Sequence, residues 1–109
     1  MKQWETWEWE FPHGSHPCVI LSDSDLCGNP DVDKVNILGC SSHRATRLPK
    51  AHEGLLDTAD GMDWETLVRL DRIWLVPKKE IKKHRGAVTR ERRREMGRKM
   101  IKIFGLWVD

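Results

Sequence analysis

The hydrophobic residues of this 109-residue chain fall into several short runs and, near its end, one longer amphipathic stretch. Trp7, Trp9 and Phe11 alternate with glutamates, and this period of two is typical of a half-buried strand. Pro, Gly, Asn and Asp residues interrupt the runs and predict turns between them. A chain with short strands followed by one helix is expected to form a small, strongly bent sheet or barrel that the helix covers.

Five runs are predicted to form strands: residues 7–11, 18–22, 34–42, 54–57 and 64–74. The run at 18–22 is continuously apolar, which is typical of a strand buried on both faces. Residues 11–17, 23–31 and 43–54 are predicted to be loops, and a hairpin-type turn is expected around Asp60 and Gly61. Pro77 should end the last of these strands, because proline donates no hydrogen bond to a ladder.

The C-terminal stretch has the pattern of an amphipathic helix. Thr89 is a suitable N-cap, Met96, Met100 and Phe104 recur at intervals of four, and Gly105 can follow the helix end. From residue 76 onward there are 12 Lys and Arg against 4 Asp and Glu, a net charge of +8. The first 75 residues hold 7 Lys and Arg against 13 Asp and Glu, a net charge of −6. This asymmetry indicates either an anionic partner for the C-terminal third or a solvated helix face.

The cysteines and histidines do not have the spacing of a disulfide framework or a metal site. There are three cysteines, an odd number, and none of them forms a CxxC pair: Cys18, Cys27 and Cys40. We therefore expect no structural metal and no cofactor. The N-terminal residues contain no apolar signal-peptide segment, and no apolar run approaches the roughly 20 residues of a membrane span. We therefore expect one domain over 1–109, in the cytoplasm and not in a membrane.

Arg69 and Asp71 lie two apart on the predicted fifth strand, so their side chains should leave the same face. Such a pair suits phosphodiester chemistry, in which a carboxylate accepts a proton from a hydroxyl and a guanidinium stabilises charge on phosphorus. The alternative is an exposed structural ion pair that contributes about 0–1 kcal/mol.

Other polar residues are candidates for phosphate chemistry or binding. His13 and His16 fall in the predicted first loop, where a histidine can act as an acid or bind phosphate, or have no role. A segment at the end of the third predicted strand offers hydroxyls and cations that can hold a phosphate or a base edge; its candidates are Cys40, Ser41, Ser42, His43, Arg44 and Arg47. Cys40 and His43 also invite comparison with a nucleophile and its base, although a buried small residue is the simpler interpretation.

In their order along the chain, three segments resemble the PemK/MazF family of toxins from type II toxin–antitoxin modules. "GSHPCVILS" is similar to the family's Gly, variable residue, Arg, Pro and buried strand. "VNILGCSSHRATRLP" is similar to its strand ending in Thr-Ser with a basic loop, and "LVRLDRI" to the strand Val-Val-Arg-Cys-Asp-Gln of the Kid branch. The chain departs from the pattern with His16 before Pro17, Cys40 in place of threonine, and Arg72 in place of glutamine.

The resemblance implies an SH3-like β-barrel of about five to six short strands with a C-terminal helix, usually a homodimer. It implies a metal-independent endoribonuclease that cleaves single-stranded RNA and leaves a cyclic phosphate, neutralised by a cognate antitoxin. Asp71 and Arg69 match the catalytic aspartate and arginine, and His13 and His16 compete for the catalytic histidine. The segment from Cys40 to Arg47 would then bind RNA.

Two alternatives remain open at this stage. The first is a non-catalytic SH3-like barrel that binds RNA or a protein through its basic helix. The second, from the related CcdB fold, is inhibition of DNA gyrase, but "FGLWVD" lacks the C-terminal Trp-Gly-Ile of that activity.

Overall fold

The computed structural model describes residues 1–106, so the end of "FGLWVD" lies outside the described residues. The strands are β1 (Glu5–Phe11), β2 (Gly14–Ile20), β3 (Lys34–Cys40), β4 (Glu53–Leu56), β5 (Thr66–Pro77) and β6 (Lys82–Ala87), and the helices are α1 (Ser24–Gly28) and α2 (Arg90–Phe104). The strands form one antiparallel sheet in the order β4-β5-β3-β2-β1-β6. The sheet curls into a half-barrel with α2 against it. The mainly β prediction with a C-terminal helix is confirmed.

The hairpin of β1 and β2 is tighter than the predicted loop over 11–17. Phe11 pairs with Gly14, whose φ of +129° is a conformation that side chains rarely adopt. Pro17 is tolerated in β2 because β2 pairs with β3 only from Cys18 onward, so the proline faces no second ladder. As a result His13 lies in the turn, whereas His16 lies on a strand and not in a loop.

The long strand β5 bends where it crosses the end of β3. Between the pairs Leu38–Ile73 and Cys40–Val68, β3 advances two residues while β5 advances five. The extra residues form an irregularity that displaces β5 from regular pairing and increases the local bend. Arg69 and Asp71 lie within this irregular segment.

Three elements depart from the sequence prediction. The segment 23–31 was predicted as a loop but contains α1, which Asp23 caps by accepting a hydrogen bond from the Leu26 N–H. The turn at Asp60 and Gly61 is part of a longer connection from β4 to β5, with a 3-10 turn at Thr58–Asp60. Strand β6 was not among the five predicted strands, because its sequence "KKHRGA" has no apolar alternation.

Two hydrophobic cores lie on opposite faces of the sheet. Cys18, Val19 and Ile20 are consecutive in β2, so their side chains alternate between the two faces, and all three are 0% exposed. The helix-side core contains Val19, Leu38, Cys40, Leu56, Met62, Val68, Leu70, Val88, Met96 and Met100. The second core contains Phe11, Cys18, Ile20, Cys27, Val35, Ile37, Val76 and Ile81. No helix within residues 1–106 has the length and apolarity to cross a membrane.

Helix α2 packs by the stripe that the sequence predicted, except at its last turn. Met96 and Met100 are buried, but Phe104 is 40% exposed. Met96 contacts the strand at Gly54, where an added Cβ would lie 3.0 Å from Met96 Cγ. Thr89 occupies the N-cap without a side-chain bond; its N–H instead donates to Asp60 Oδ1 at 2.8 Å.

Replacing Gly97 by alanine is expected to stabilise the protein. Gly97 lies inside α2, and an added Cβ would meet no atom within 4 Å. Alanine should therefore raise the free energy of unfolding by about 0.5–1 kcal/mol, measured by urea denaturation. The matched control is Gly105→Ala, which has equal space but a φ of +64° and should lose stability. A destabilised Gly97→Ala protein would contradict the prediction.

Candidate active site

A cavity of about 290 Å³ opens where β1 ends, β3 ends and β5 bends. Its walls are formed by Phe11, His13, His16, Gly39, Cys40, Ser41, Arg47, Glu53, Leu67, Arg69, Arg72 and Trp74. Six of the ten candidate residues predicted from the sequence are among them. Arg69, from the irregular segment of β5, and His13, from the first turn, line the same cavity, whereas Asp71 is not among its lining residues.

The Arg69–Asp71 pair forms as the strand spacing predicts. Arg69 Nε donates to Asp71 Oδ1 and Nη2 to Oδ2, each at 2.8 Å. The side chains are 44% and 32% exposed, so the pair is open to a ligand. The hydrogen bonds from Arg69 lower the pKa of Asp71 to about 2, and the carboxylate is therefore ionised throughout the neutral range.

The two candidate histidines lie against each other beside Phe11, with their ring planes tilted by 39°. Their ring centroids lie 4.6 Å apart, and those of Phe11 and His16 lie 5.8 Å apart. Both ring nitrogens of His16 are covered and have no hydrogen-bond partner within the described structure. Burial, with repulsion from His13, lowers the pKa of His16 below its usual 6.5, so this imidazole is neutral at pH 7.

A second ion pair in the cavity was not predicted. Glu53 is only 5% exposed and accepts from Arg47 Nη1 at 2.6 Å, from Arg47 Nη2 at 2.8 Å and from the Lys50 N–H at 2.9 Å. The hydrogen bonds from Arg47 lower the pKa of Glu53 to about 2. The pair fastens the loop between β3 and β4 to the rim of the cavity.

Glu53 should make stability depend on pH in the acidic range. Its folded pKa of about 2 lies below the ordinary 4.5, so its contribution is present above pH 4.5 and is lost as the pH falls towards 2. Glu53→Gln should therefore be less stable than the wild type at pH 7, and the difference should shrink between pH 4.5 and 2. Chemical denaturation at several pH values measures this. The control is Glu65→Gln, which removes an equal charge from an exposed position and should leave the pH dependence of stability unchanged. If the difference in stability between Glu53→Gln and the wild type were the same at every pH, the prediction would be wrong.

The candidates in the basic segment separate into two groups. Cys40, Ser41 and Arg47 line the cavity, although Cys40 is 5% exposed and contributes to the wall more than to any contact. Burial raises the pKa of the Cys40 thiol, which argues against a nucleophile.

The other three candidates lie outside this cavity. Ser42 lines a neighbouring depression, while Arg44 lies with its Cζ 5.6 Å from the centre of the Trp64 ring. The His43 N–H donates to Ser41 Oγ at 3.1 Å, which orders the start of the loop.

Sequence reasoning missed Glu53, Arg72 and Trp74 as cavity residues. In the sequence, Arg72 stands out only as a departure from the family pattern. For Glu53 the available signal was a lone acidic residue at the start of an apolar run. Within residues 1–106 no three His, Cys, Asp or Glu residues are grouped as metal ligands would be.

No protein-family model matches the sequence, and no curated protein sequence matches it. The fold matches an endoribonuclease in complex with its cognate antitoxin from a mycobacterial species, with a TM-score of 0.82, 16% identity and coverage of 100% of this chain and 99% of that one.

Two further structures support this match. The Mycobacterium tuberculosis toxin MazF-mt6 has a TM-score of 0.80 and 15% identity, over 95% of this chain and 99% of that one. A chain of the MazE–MazF structure from Deinococcus radiodurans has a TM-score of 0.75 and 16% identity, over 98% and 97%.

The fold thus defines the chain as a small half-barrel of six antiparallel strands with a C-terminal helix. Over its full length this architecture matches the structures of MazF-family toxin endoribonucleases, at low sequence identity. The resemblance seen in the sequence is confirmed at the level of the fold.

Proposed function

We propose that this protein is a toxin-type endoribonuclease that cleaves single-stranded RNA without a metal ion. The observation that supports this most is the cavity that Arg69 shares with two neighbouring histidines within a MazF-like fold, with Arg69 held by its hydrogen bonds to Asp71. In the proposed reaction the 2′-oxygen of one nucleotide bonds to the adjacent phosphorus. The bond from phosphorus to the 5′-oxygen breaks, and the products are a 2′,3′-cyclic phosphate and a free 5′-hydroxyl.

Arg69 and Arg72 supply the positive charge of the cavity for the phosphate. Asp71 holds Arg69 by Nε and Nη2, so that Nη1 remains to donate to a phosphate oxygen. Fixed cations aimed at developing negative charge stabilise a transition state without reorganising during the step. Asp71 is therefore a positioning residue here, because a carboxylate with a pKa of about 2 is a weak base.

The histidines divide the proton transfers between them. His16 is the proposed base for the 2′-hydroxyl, because its pKa is lowered and its imidazole is neutral at pH 7; its ring must turn within the cavity to expose one of the two nitrogens that the structure has covered. His13 lies in the exposed turn, with its ring centroid 4.6 Å from that of His16, and is the group placed to donate a proton to the departing 5′-oxygen.

RNA would enter along the basic segment after β3. Ser41 and Arg47 lie at the cavity rim, while Arg44 stacks over Trp64 beyond it. Cations of this kind bind phosphates, and an aromatic ring offers a surface on which a base can stack. The proposed RNA-binding segment also includes Cys40, which is buried, and Ser42 and His43. The bond from the His43 N–H to Ser41 Oγ orders the turn in which these last two residues lie.

We propose a homodimer that a cognate antitoxin neutralises in the cytoplasm. Two of the similar structures are of toxins with their antitoxins, an endoribonuclease with its cognate antitoxin and MazE–MazF. An antitoxin segment with acidic residues would compete with RNA for the cavity arginines.

The test is incubation of the purified protein with a long mixed-sequence RNA in EDTA. Discrete fragments that end in a 2′,3′-cyclic phosphate support the proposal, and their absence overturns it. Intact RNA together with measurable RNA binding would instead identify a non-catalytic RNA-binding module.

The pH dependence of kcat should identify which residue accepts the proton of the 2′-hydroxyl as general base. With His16 as base, the rate falls as the pH decreases through a pKa below 6.5, because the imidazole gains the proton that it must accept. With Asp71 as base, no such fall would occur until about pH 2. The measurement is the initial rate of cleavage of a fluorogenic RNA from pH 4.5 to 8. His16→Gln should lose most of the rate, and its residual activity should lack this acid limb.

A further inference from the structure

The exposed side of α2 carries four cations at intervals of four residues, here termed the basic stripe: Arg90, Arg94, Arg98 and Lys102. A rise of about 1.5 Å per residue places successive members roughly 6 Å apart along one side of the helix. Like charges at this spacing repel one another and destabilise a helix. The stripe therefore opposes helix formation, and packing of the helix does not require it.

The structure separates the stripe from the other cations of the helix. Arg92, Arg93 and Lys99 bond to the protein: Arg92 to Asp60, Arg93 to the Val88 carbonyl and Lys99 to the Glu53 carbonyl. Within residues 1–106, no member of the stripe forms an ion pair with an acidic side chain. The two acidic residues of the helix, Glu91 and Glu95, line the same shallow depression as Arg94 and Arg98 but form no ion pair with them in the described part of the chain, and Glu95 lies 3.9 Å from Lys99 instead.

The helix is fastened next to the candidate active site. Lys99 Nζ donates to the carbonyl of Glu53 at 2.9 Å, and the side chain of that same glutamate lines the cavity. Strand β4, which carries Glu53, is the edge of the sheet. A chain that leaves the cavity across this edge would meet α2.

The surface beside the stripe is also unusual for a solvated helix. Ile101 is 46% exposed and lies three residues after Arg98, so an apolar side chain that the protein does not bury adjoins the stripe.

We propose that the basic stripe is a second RNA-binding surface, which holds the part of the substrate that extends beyond the cavity. The inference rests on the proposed ribonuclease function and adds the path of the RNA outside the reaction centre. A cavity of about 290 Å³ is at the lower end of sizes for a small ligand, so most of a long RNA must lie on the surface. A line of evenly spaced cations suits a polyanion with a regular charge repeat.

The experiment measures binding of fluorescein-labelled, 2′-O-methylated RNA, which cannot undergo cleavage, as a function of salt concentration. The probes are a 30-nucleotide mixed-sequence strand and a six-nucleotide strand of the same composition. Arg94→Gln/Arg98→Gln removes two stripe charges from exposed positions. The control Lys34→Gln/Lys79→Gln removes two exposed charges at the opposite end of β3.

The stripe variant should reduce the slope of log K against log salt by about 1.4 on the long strand, since each phosphate contact contributes about 0.7. The short strand and the control variant should show the wild-type slope. An unchanged slope on the long strand in a wild type that binds RNA would overturn this inference alone. Loss of binding to polyglutamate with intact RNA binding would assign the stripe to an acidic protein and also overturn it. A wild type that neither binds nor cleaves RNA would overturn the proposed function as well.

Discussion

Asp71→Asn should reduce RNA cleavage by roughly 10²–10³-fold, the loss seen when one preorganised group for transition-state charge is removed. The amide cannot accept both hydrogen bonds from Arg69, whose two bonds to Asp71 are 2.8 Å long. The guanidinium then loses its fixed orientation. Since both side chains are exposed, the free energy of unfolding should change by no more than about 1 kcal/mol.

The measurement is kcat and KM on the same RNA, with unfolding followed in parallel. A positioning role predicts that kcat falls more than KM rises and that the acid limb assigned to His16 persists in the variant. Asp33→Asn, which removes an exposed charge at the other end of the sheet, should retain wild-type activity. Equal activity in Asp71→Asn would exclude Asp71 from the mechanism and leave the pair as a structural one.

Most of the fold could be predicted from the spacing of hydrophobic residues, because burying one face of a strand or helix imposes a regular spacing on them. The alternation at Trp7, Trp9 and Phe11, and the stripe of Met96 and Met100, each correspond to an element of the structure. Strand β6 could not be predicted in this way. It is held by pairing with β1 and by the bond from Arg85 Nη1 to Glu8 Oε2 at 2.7 Å, which are contacts distant in sequence.

The candidate site was predictable only where its geometry is local. Spacing along one strand places Arg69 and Asp71 on one face, and the structure has them bonded. The position of His16 depends on a hairpin that tightens around Gly14, and that of Glu53 on the bend of β5. Both are results of tertiary pairing, which a single sequence does not display.

Loss of the Asp60 carboxylate should strongly destabilise the protein. Asp60 has 0% exposure and accepts three hydrogen bonds, from Arg92 Nη1 at 2.6 Å, from the Thr89 N–H at 2.8 Å and from the Asp57 N–H at 2.9 Å. These bonds join the start of α2 to the connection after β4. Asp60→Ala would leave two N–H groups without their acceptor and would leave Arg92, whose side chain is 28% exposed, with Asp57 as its remaining partner; the expected loss is about 2–4 kcal/mol.

The matched control is Asp57→Ala, because Asp57 contacts the same arginine from a more exposed position. Its side chain is 33% exposed and lies 2.8 Å from Arg92 Nη1. Solvent screens this charge, so we expect a loss of only about 0.5–2 kcal/mol, mostly from its role as the cap of the 3-10 turn. Urea denaturation of the two variants at pH 7 measures the difference. Equal losses would show that burial of Asp60 is not what makes its bond to Arg92 important.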